Sequence, residues 1–123
     1  MAGSSDKPYD LLERTAVFGE CAIQFAKKVP ITPVTMPLIT QLVKASTSIG
    51  ANYTEADDAE SRKDYRHKTG ICRKESKETR FWLRMIVASE SDLSDEAGHL
   101  SQEAHELNRI FGSIIRKVSR GLE

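Results

Sequence analysis

The residues with the clearest capacity for chemistry are basic, and they lie between positions 62 and 84. This span contains nine lysines or arginines against three acidic residues, which is half of the 18 basic residues in the chain. Helical steps of three, four or seven place six of them on one broad side of a helix. These six residues, called the basic face below, are Arg62, Arg66, Arg73, Lys77, Arg80 and Arg84.

Two interpretations of the basic face stay open. In the first, it is a solvated face whose cations pair with another subunit or with the acidic residues just before it, Glu55, Asp57, Asp58 and Glu60. In the second, it binds nucleic acid or an acidic protein, with an affinity that falls steeply as salt rises. Phe81 and Trp82 lie beside it, but one aromatic pair is more typical of packing than of base stacking.

Two carboxylates also share a stripe of this segment. Glu75 and Glu78 are three residues apart, on the same side as Trp82. Such a pair can share a proton and act in acid–base chemistry. However, Lys74 and Lys77 lie close by in sequence, and nearby opposite charges favour simple ion pairing. We therefore expect Glu75 and Glu78 to form structural ion pairs, either within the bundle or between subunits.

Candidates for metal binding and nucleophilic chemistry are weak. Glu96 and His99 form half of a di-iron motif, which needs a second copy and two further glutamates. His105 lies six residues after His99 and does not share its helix face. Ser46, Thr47 and Ser48 have no histidine base nearby in the sequence. We predict no catalytic residue, metal, cofactor or small-molecule substrate.

The composition is that of one soluble globular domain. Of 123 residues, 39% are hydrophobic and 29% are charged, with equal numbers of acidic and basic residues. No apolar run is long enough to span a membrane, and the first residues lack the pattern of a signal peptide. Cys21 and Cys72 lack metal-binding spacing. We expect a cytoplasmic protein with a disordered leader over 1–8 and a single domain over 9–120.

Periodicity predicts four helices and no strand. The helices cover about 9–29, 33–59, 62–90 and 97–118, with short links, so we expect an all-α, antiparallel, up-down-up-down four-helix bundle. Ser61 and Asp64 resemble a capping box for the third helix, and Gly121 is a stop signal for the fourth. The first helix carries a second apolar row that a four-helix core does not need. This row is Leu12, Ala16, Gly19, Ile23 and Ala26.

The segment 41–56, QLVKASTSIGANYTEA, has an unusually small and polar inward face. A glycine inside a helix costs about 1 kcal/mol relative to alanine, so Gly50 indicates that another backbone comes close. The third helix has a similar face of small and hydroxylated residues. We therefore expect these two helices to pack closely, with hydroxyl groups bonding across the gap and Asn52 making a cross-helix hydrogen bond.

Two motifs in the chain are specific enough to suggest a family. The motif SxxIGANYxEA includes Ser46, Gly50, Asn52, Tyr53 and Glu55, and the motif KExxETxxWL includes Glu75, Glu78 and Trp82. With the closing segment 106–115, they resemble the four-helix-bundle proteins encoded in intervening sequences of bacterial large-subunit ribosomal RNA genes. The likeness covers about 9–118. The chain is also similar to accessory variability proteins of diversity-generating retroelements.

The resemblance implies a homopentameric ring without established enzymatic activity, so it transfers no catalytic residue. We therefore predict a non-enzymatic, oligomeric helical scaffold or adaptor. The alternative implied by the retroelement proteins is an accessory protein that binds RNA or DNA and a reverse transcriptase through the basic third helix. Those accessory proteins are strongly basic, whereas this chain has no net charge.

Overall fold

The computed structural model describes residues 10–122, and these form four α-helices without a strand. The helices are α1 (Leu11–Ala26), α2 (Thr35–Asp57), α3 (Arg62–Ser89) and α4 (Ser94–Leu122), with a 3-10 turn at Ser91–Leu93. The predicted all-α four-helix bundle is confirmed. The expected leader over 1–8, and Tyr9 at the start of the expected domain, lie outside the described residues.

Local side-chain bonds explain where the helices begin. Asp10 caps α1 by accepting a hydrogen bond from the Glu13 amide, at 3.4 Å. Ser61 caps α3 by accepting one from the Asp64 amide, at 3.0 Å, as the sequence predicted. The predicted stop signal at the C-terminal end of α4 was wrong. Gly121 lies inside α4, and no glycine among residues 10–122 has the left-handed conformation that usually ends a helix.

The helices form two layers. α3 packs extensively on both α2 and α4, α1 packs mainly on α2, and the contact of α1 with α4 is short. The pair α1–α2 therefore lies opposite the pair α3–α4, and each pair presents its own outer surface.

All four helices contribute to two apolar clusters in the interior. Towards one end, Phe18, Ile49, Leu107 and Phe111 pack around Cys72. Towards the other end, the cluster contains Phe25, Val29, Leu42, Leu83, Ile86 and Ala97. Most of these side chains are fully buried, and each buried aliphatic or aromatic side chain contributes about 1.5–3 kcal/mol to stability.

The close approach at Gly50 is real, but its partner is α1 rather than α3. A Cβ atom on Gly50 would lie 3.3 Å from the Thr15 hydroxyl and 3.4 Å from the Thr15 carbonyl oxygen. From the other side, a Cβ atom on Gly19 would lie 3.7 Å from the Thr47 Cα. The two glycines let the backbones of α1 and α2 approach each other.

The expected hydrogen bonds between the hydroxyls of α2 and α3 were also wrong. Thr69, Ser76 and Thr79 are buried, and each donates to a carbonyl three or four residues earlier in α3, at 2.7–2.9 Å. Asn52 donates within α2, to the carbonyl and hydroxyl of Ser48, both at 2.9 Å. These polar groups form their hydrogen bonds within their own helix. The close contact of α2 with α3 therefore depends on the small size of the side chains between them.

Candidate functional site

The basic face lies on α3, and five of its six side chains are exposed, with Arg66 partly buried. Four ion pairs occur among residues 10–122, and none of them involves the basic face. The proposed pairing with the preceding acidic residues is limited to Glu55, which binds Lys68 at 2.6 Å. Lys68 is outside the basic face. The cations of the basic face are therefore not neutralised by these neighbours.

The fourth helix adds a cation to this surface. The Arg73 Nε lies 3.8 Å from the position that a Cβ atom would take on Gly112, and the Arg116 Nη1 lies 3.5 Å from it. Asn108 ties the two helices together here, because its side-chain amide donates to the Arg73 carbonyl at 3.0 Å. Two guanidinium groups from different helices thus lie over one glycine.

Two further arginines of the basic face also extend towards α4. Arg80 donates to the Ser101 hydroxyl at 3.2 Å, and its Nη1 lies 3.1 Å from the His105 Nδ1. Arg62 lies over Gly121, where a Cβ atom would collide with its guanidinium group. The basic face is therefore one side of a surface formed jointly by α3 and α4.

Two nearby carboxylates of α4 are bound by an arginine of α1. Arg14 makes two hydrogen bonds to Glu103, at 2.7 and 2.9 Å, and one to Glu106, at 3.2 Å. These bonds raise the pKa of Arg14 further above its ordinary value. Arg14 therefore neutralises two negative charges of α4, and Arg14 and Glu106 line the same cavity as Arg73 and Arg116. Sequence reasoning missed both Arg14 and Arg116, because their partners are more than 40 residues away.

The carboxylates of the second motif make no ion pair within the described part of the chain, so their expected pairing within the bundle is absent there, and pairing with another subunit stays a prediction. Burial, and then the charge of Glu78, raises the pKa of Glu75, while Lys74 and Lys44 lower it. Glu78 accepts a hydrogen bond from the Trp82 indole at 3.4 Å. Glu75 therefore lies on a flank of α3 near Lys44 of α2.

Glu96 of the half di-iron motif and the buried thiol of Cys72 both make structural contacts. Glu96 binds Lys28 at 2.9 Å, and no cluster of three potential metal ligands occurs within residues 10–122. Burial raises the pKa of Cys72 to about 12, so its thiol stays protonated, and it donates to the Ile49 carbonyl at 3.4 Å. A protonated thiol is a poor nucleophile.

The second apolar row of the first helix is partly uncovered. Leu12 is 42% exposed and Ile23 is 38% exposed. They border a groove of about 260 Å³ between α1 and α2, whose floor contains Gly19 and Gly50. We call this the α1–α2 face.

Comparison with known proteins identifies the family. The model of the 23S rRNA-intervening sequence protein family matches residues 9–113. The chain belongs to this family. This 23S rRNA-intervening sequence protein is similar in structure to a protein of unknown function from the S23 ribosomal protein family of Bacteroides thetaiotaomicron VPI-5482. That crystal structure is 28% identical in sequence, covers 85% of this chain and 96% of its own, and superposes with a TM-score of 0.74. No curated protein matches the chain significantly.

The family motifs occupy packing positions in this 23S rRNA-intervening sequence protein. Ser46 is fully buried and donates within α2, to the Val43 carbonyl at 3.4 Å. The ring of Tyr53 packs on that of Phe111, with centroids 5.9 Å apart. Burial, together with Tyr65, raises the pKa of Tyr53 above its ordinary value.

Within residues 10–122, no helix combines the length and apolar character that a membrane crossing requires.

Proposed function

We propose that this 23S rRNA-intervening sequence protein is a self-assembling, non-enzymatic helical scaffold whose subunits bind each other through the α1–α2 face. The supporting observation is the partial exposure of Leu12 and Ile23 beside the groove between α1 and α2. Exposed apolar side chains that border a groove are typical of a protein–protein contact. The resemblance noted above favours a closed ring of five copies.

A second copy fits this surface better than an unrelated ligand does. The groove floor contains small residues, and its rim contains the larger side chains of Leu12 and Ile23. Such a surface favours helix-on-helix packing, because ridges of side chains fit between neighbouring ridges. Burying the exposed parts of these side chains contributes about 25 cal/mol per Å².

The oligomeric state tests this proposal directly. We expect light scattering or native mass spectrometry at low micromolar concentration to detect a multimer. The double variant Leu12→Lys/Ile23→Lys should be smaller and keep its helical circular dichroism. Ile31→Lys is the matched control, since Ile31 is exposed in the connection before α2, and it should keep the wild-type size. A strictly monomeric wild-type protein would refute the proposal.

A second candidate function is the binding of RNA or DNA through the basic face. It is supported by the lack of ion pairs to these six cations among the described residues. The resemblance to retroelement accessory proteins adds a reverse transcriptase as a candidate partner. The α3–α4 layer lies opposite the α1–α2 face, so both activities are compatible in one assembly.

Charge reversal tests the second candidate. We expect Arg73→Glu, Lys77→Glu and Arg80→Glu together to abolish binding without unfolding the protein, and wild-type affinity to fall steeply with salt. Failure of the wild-type protein to retain any nucleic acid at about 50 mM salt would exclude this function.

A further inference from the structure

We infer that Arg73 and Arg116 form a shared phosphate site over Gly112 for a single-stranded nucleic acid, and that Phe81 stacks on a base of the same strand. This inference deepens the second candidate function and rests on it. It assigns a particular contact to each of three residues on two helices.

The argument for a shared phosphate site starts from the two guanidinium groups. Like charges repel, yet Arg73 and Arg116 both lie within 4 Å of one point over Gly112. Neither forms an ion pair within residues 10–122. An anion placed between them would remove the repulsion and accept charge-assisted hydrogen bonds from both, and arginine is well suited to binding phosphate in this way.

Gly112 makes room for such a ligand. Apart from the two arginines, no side chain or neighbouring backbone is among the close contacts of a Cβ atom placed on Gly112. The Asn108 amide fixes the backbone of α3 at Arg73, through its hydrogen bond to the Arg73 carbonyl. The stem of Arg73 is therefore anchored beside the gap, while its charged end stays exposed.

The surrounding cations favour a polymer over a free phosphate ion. Lys77, Arg80 and Arg84 continue along α3 from Arg73 at steps of three or four residues, which is about 5 Å of helix for each step. A linear polyanion can contact several such charges at once. The two carboxylates of α4 that would oppose it, Glu103 and Glu106, are bound by Arg14.

Phe81 favours a single strand over a duplex. It is 50% exposed and lies between Lys77 and Arg84 in the helical spacing, while its ring contacts Trp82 edge-on, with centroids 5.0 Å apart. The helix rises about 12 Å from Arg73 to Phe81. An exposed aromatic ring beside a row of cations is the arrangement by which proteins stack unpaired bases.

Fluorescence anisotropy with a labelled single-stranded RNA of mixed sequence tests the shared phosphate site. Arg73→Gln and Arg116→Gln should each weaken binding by fivefold or more, as expected when a charge-assisted contact is lost. If both arginines hold one phosphate, the double variant should be little weaker than either single variant. The slope of log affinity against log salt should be shallower for the double variant than for the wild type, by about 0.7. Lys63→Gln removes the same charge from α3 outside the basic face and should have a much smaller effect.

Further variants test the stacked base. Phe81→Ala should weaken binding of the single strand by about fivefold or more, whereas Phe81→Tyr should bind as the wild type does. A duplex of the same length should bind more weakly and should be insensitive to Phe81→Ala. Since all three substituted residues are exposed, circular dichroism and thermal melting of each variant should match the wild type.

The outcomes distinguish this inference from the function on which it rests. If the wild-type protein binds RNA but the two arginine variants have additive effects, with a slope change of about 1.4, the shared site is refuted and the function stands. The same conclusion follows if Arg73→Gln and Arg116→Gln bind normally. If Phe81→Ala binds normally or the duplex binds equally well, the single-strand assignment is refuted. If the wild-type protein binds neither the single strand nor the duplex, both the inference and the second candidate function fail.

Discussion

The hydroxyl and carbonyl groups of Thr15 lie directly over Gly50, which leaves 3.3–3.4 Å for any added Cβ atom. The Thr15 hydroxyl is itself fixed, since it donates to the Leu11 carbonyl at 2.6 Å. The contact between α1 and α2 is therefore rigid on both sides. It forms the floor of the α1–α2 face, so its geometry affects assembly as well as stability.

Gly50→Leu should destabilise the protein by about 1–3 kcal/mol, because the larger side chain forces α1 and α2 apart. Urea unfolding measures the loss, and light scattering measures the effect on assembly. Gly70→Ala is the matched control, since nothing lies within 4 Å of a Cβ atom there and alanine is the better helix former by about 1 kcal/mol. The control should therefore be more stable than the wild type. An unchanged stability and oligomer for Gly50→Leu would contradict this account of the contact.

Arg14→Ala should destabilise the protein by about 1 kcal/mol, because it removes three charge-assisted hydrogen bonds between α1 and α4. The loss should shrink in high salt. Lys28→Ala is the comparison, since the Lys28–Glu96 pair joins the same side of the bundle but is more exposed. Its loss should be smaller, within about 0.5 kcal/mol. Equal effects would show that the Arg14 contacts add nothing beyond an exposed ion pair.

Glu75→Gln should raise the melting temperature at pH 7. Burial raises the pKa of Glu75 in the folded protein, so the folded state holds this proton more tightly than the unfolded chain does. The ionised carboxylate therefore lowers stability as pH rises through and above the ordinary glutamate pKa. The advantage of the variant should disappear below about pH 4, where both states are protonated. Thermal melts at pH 4 and pH 7 test this, with Glu60→Gln as a control for the change in net charge.

The thiol of Cys72 should be protected in the folded protein. In a Cys21→Ser variant, Cys72 is the sole thiol, and it is fully buried, with a pKa raised to about 12. A disulfide reagent should therefore react with it only on unfolding, at least a hundredfold more slowly than with the same protein in denaturant. Fast labelling under native conditions would show that the interior near Cys72 opens readily.

Helix content and order were predictable because they depend on local patterns. The spacing of Leu42, Ile49 and Leu83 and the cap at Ser61 are properties of neighbouring residues, and the structure has the helices at nearly the expected bounds. The glycine at 50 correctly indicated a close backbone. The side from which that backbone comes was not predictable, since a small face on α2 is equally compatible with α1 and with α3.

The candidate site was less predictable, for a related reason. Arg73 was found from its position in a row of cations on one helix. Its relationship to Arg116 depends on the register of α3 against α4, which no local pattern specifies. The same holds for Arg14, whose two acidic partners lie 89 and 92 residues later. The sequence therefore indicated the basic face of α3 but not how its charges and those of α1 are arranged around α4.

The short link between α2 and α3 has a consequence for how the chain folds. Only four residues separate Asp57 from Arg62, and the two helices pack along much of their length with their hydroxyl groups already satisfied within each helix. Closing so short a loop carries little entropic penalty, and contacts that are close in sequence speed folding. The link between α3 and α4 is equally short, so we expect α2, α3 and α4 to form the folding nucleus, with α1 docking afterwards. Substitutions in α1 should then mainly accelerate unfolding and leave the refolding rate nearly unchanged.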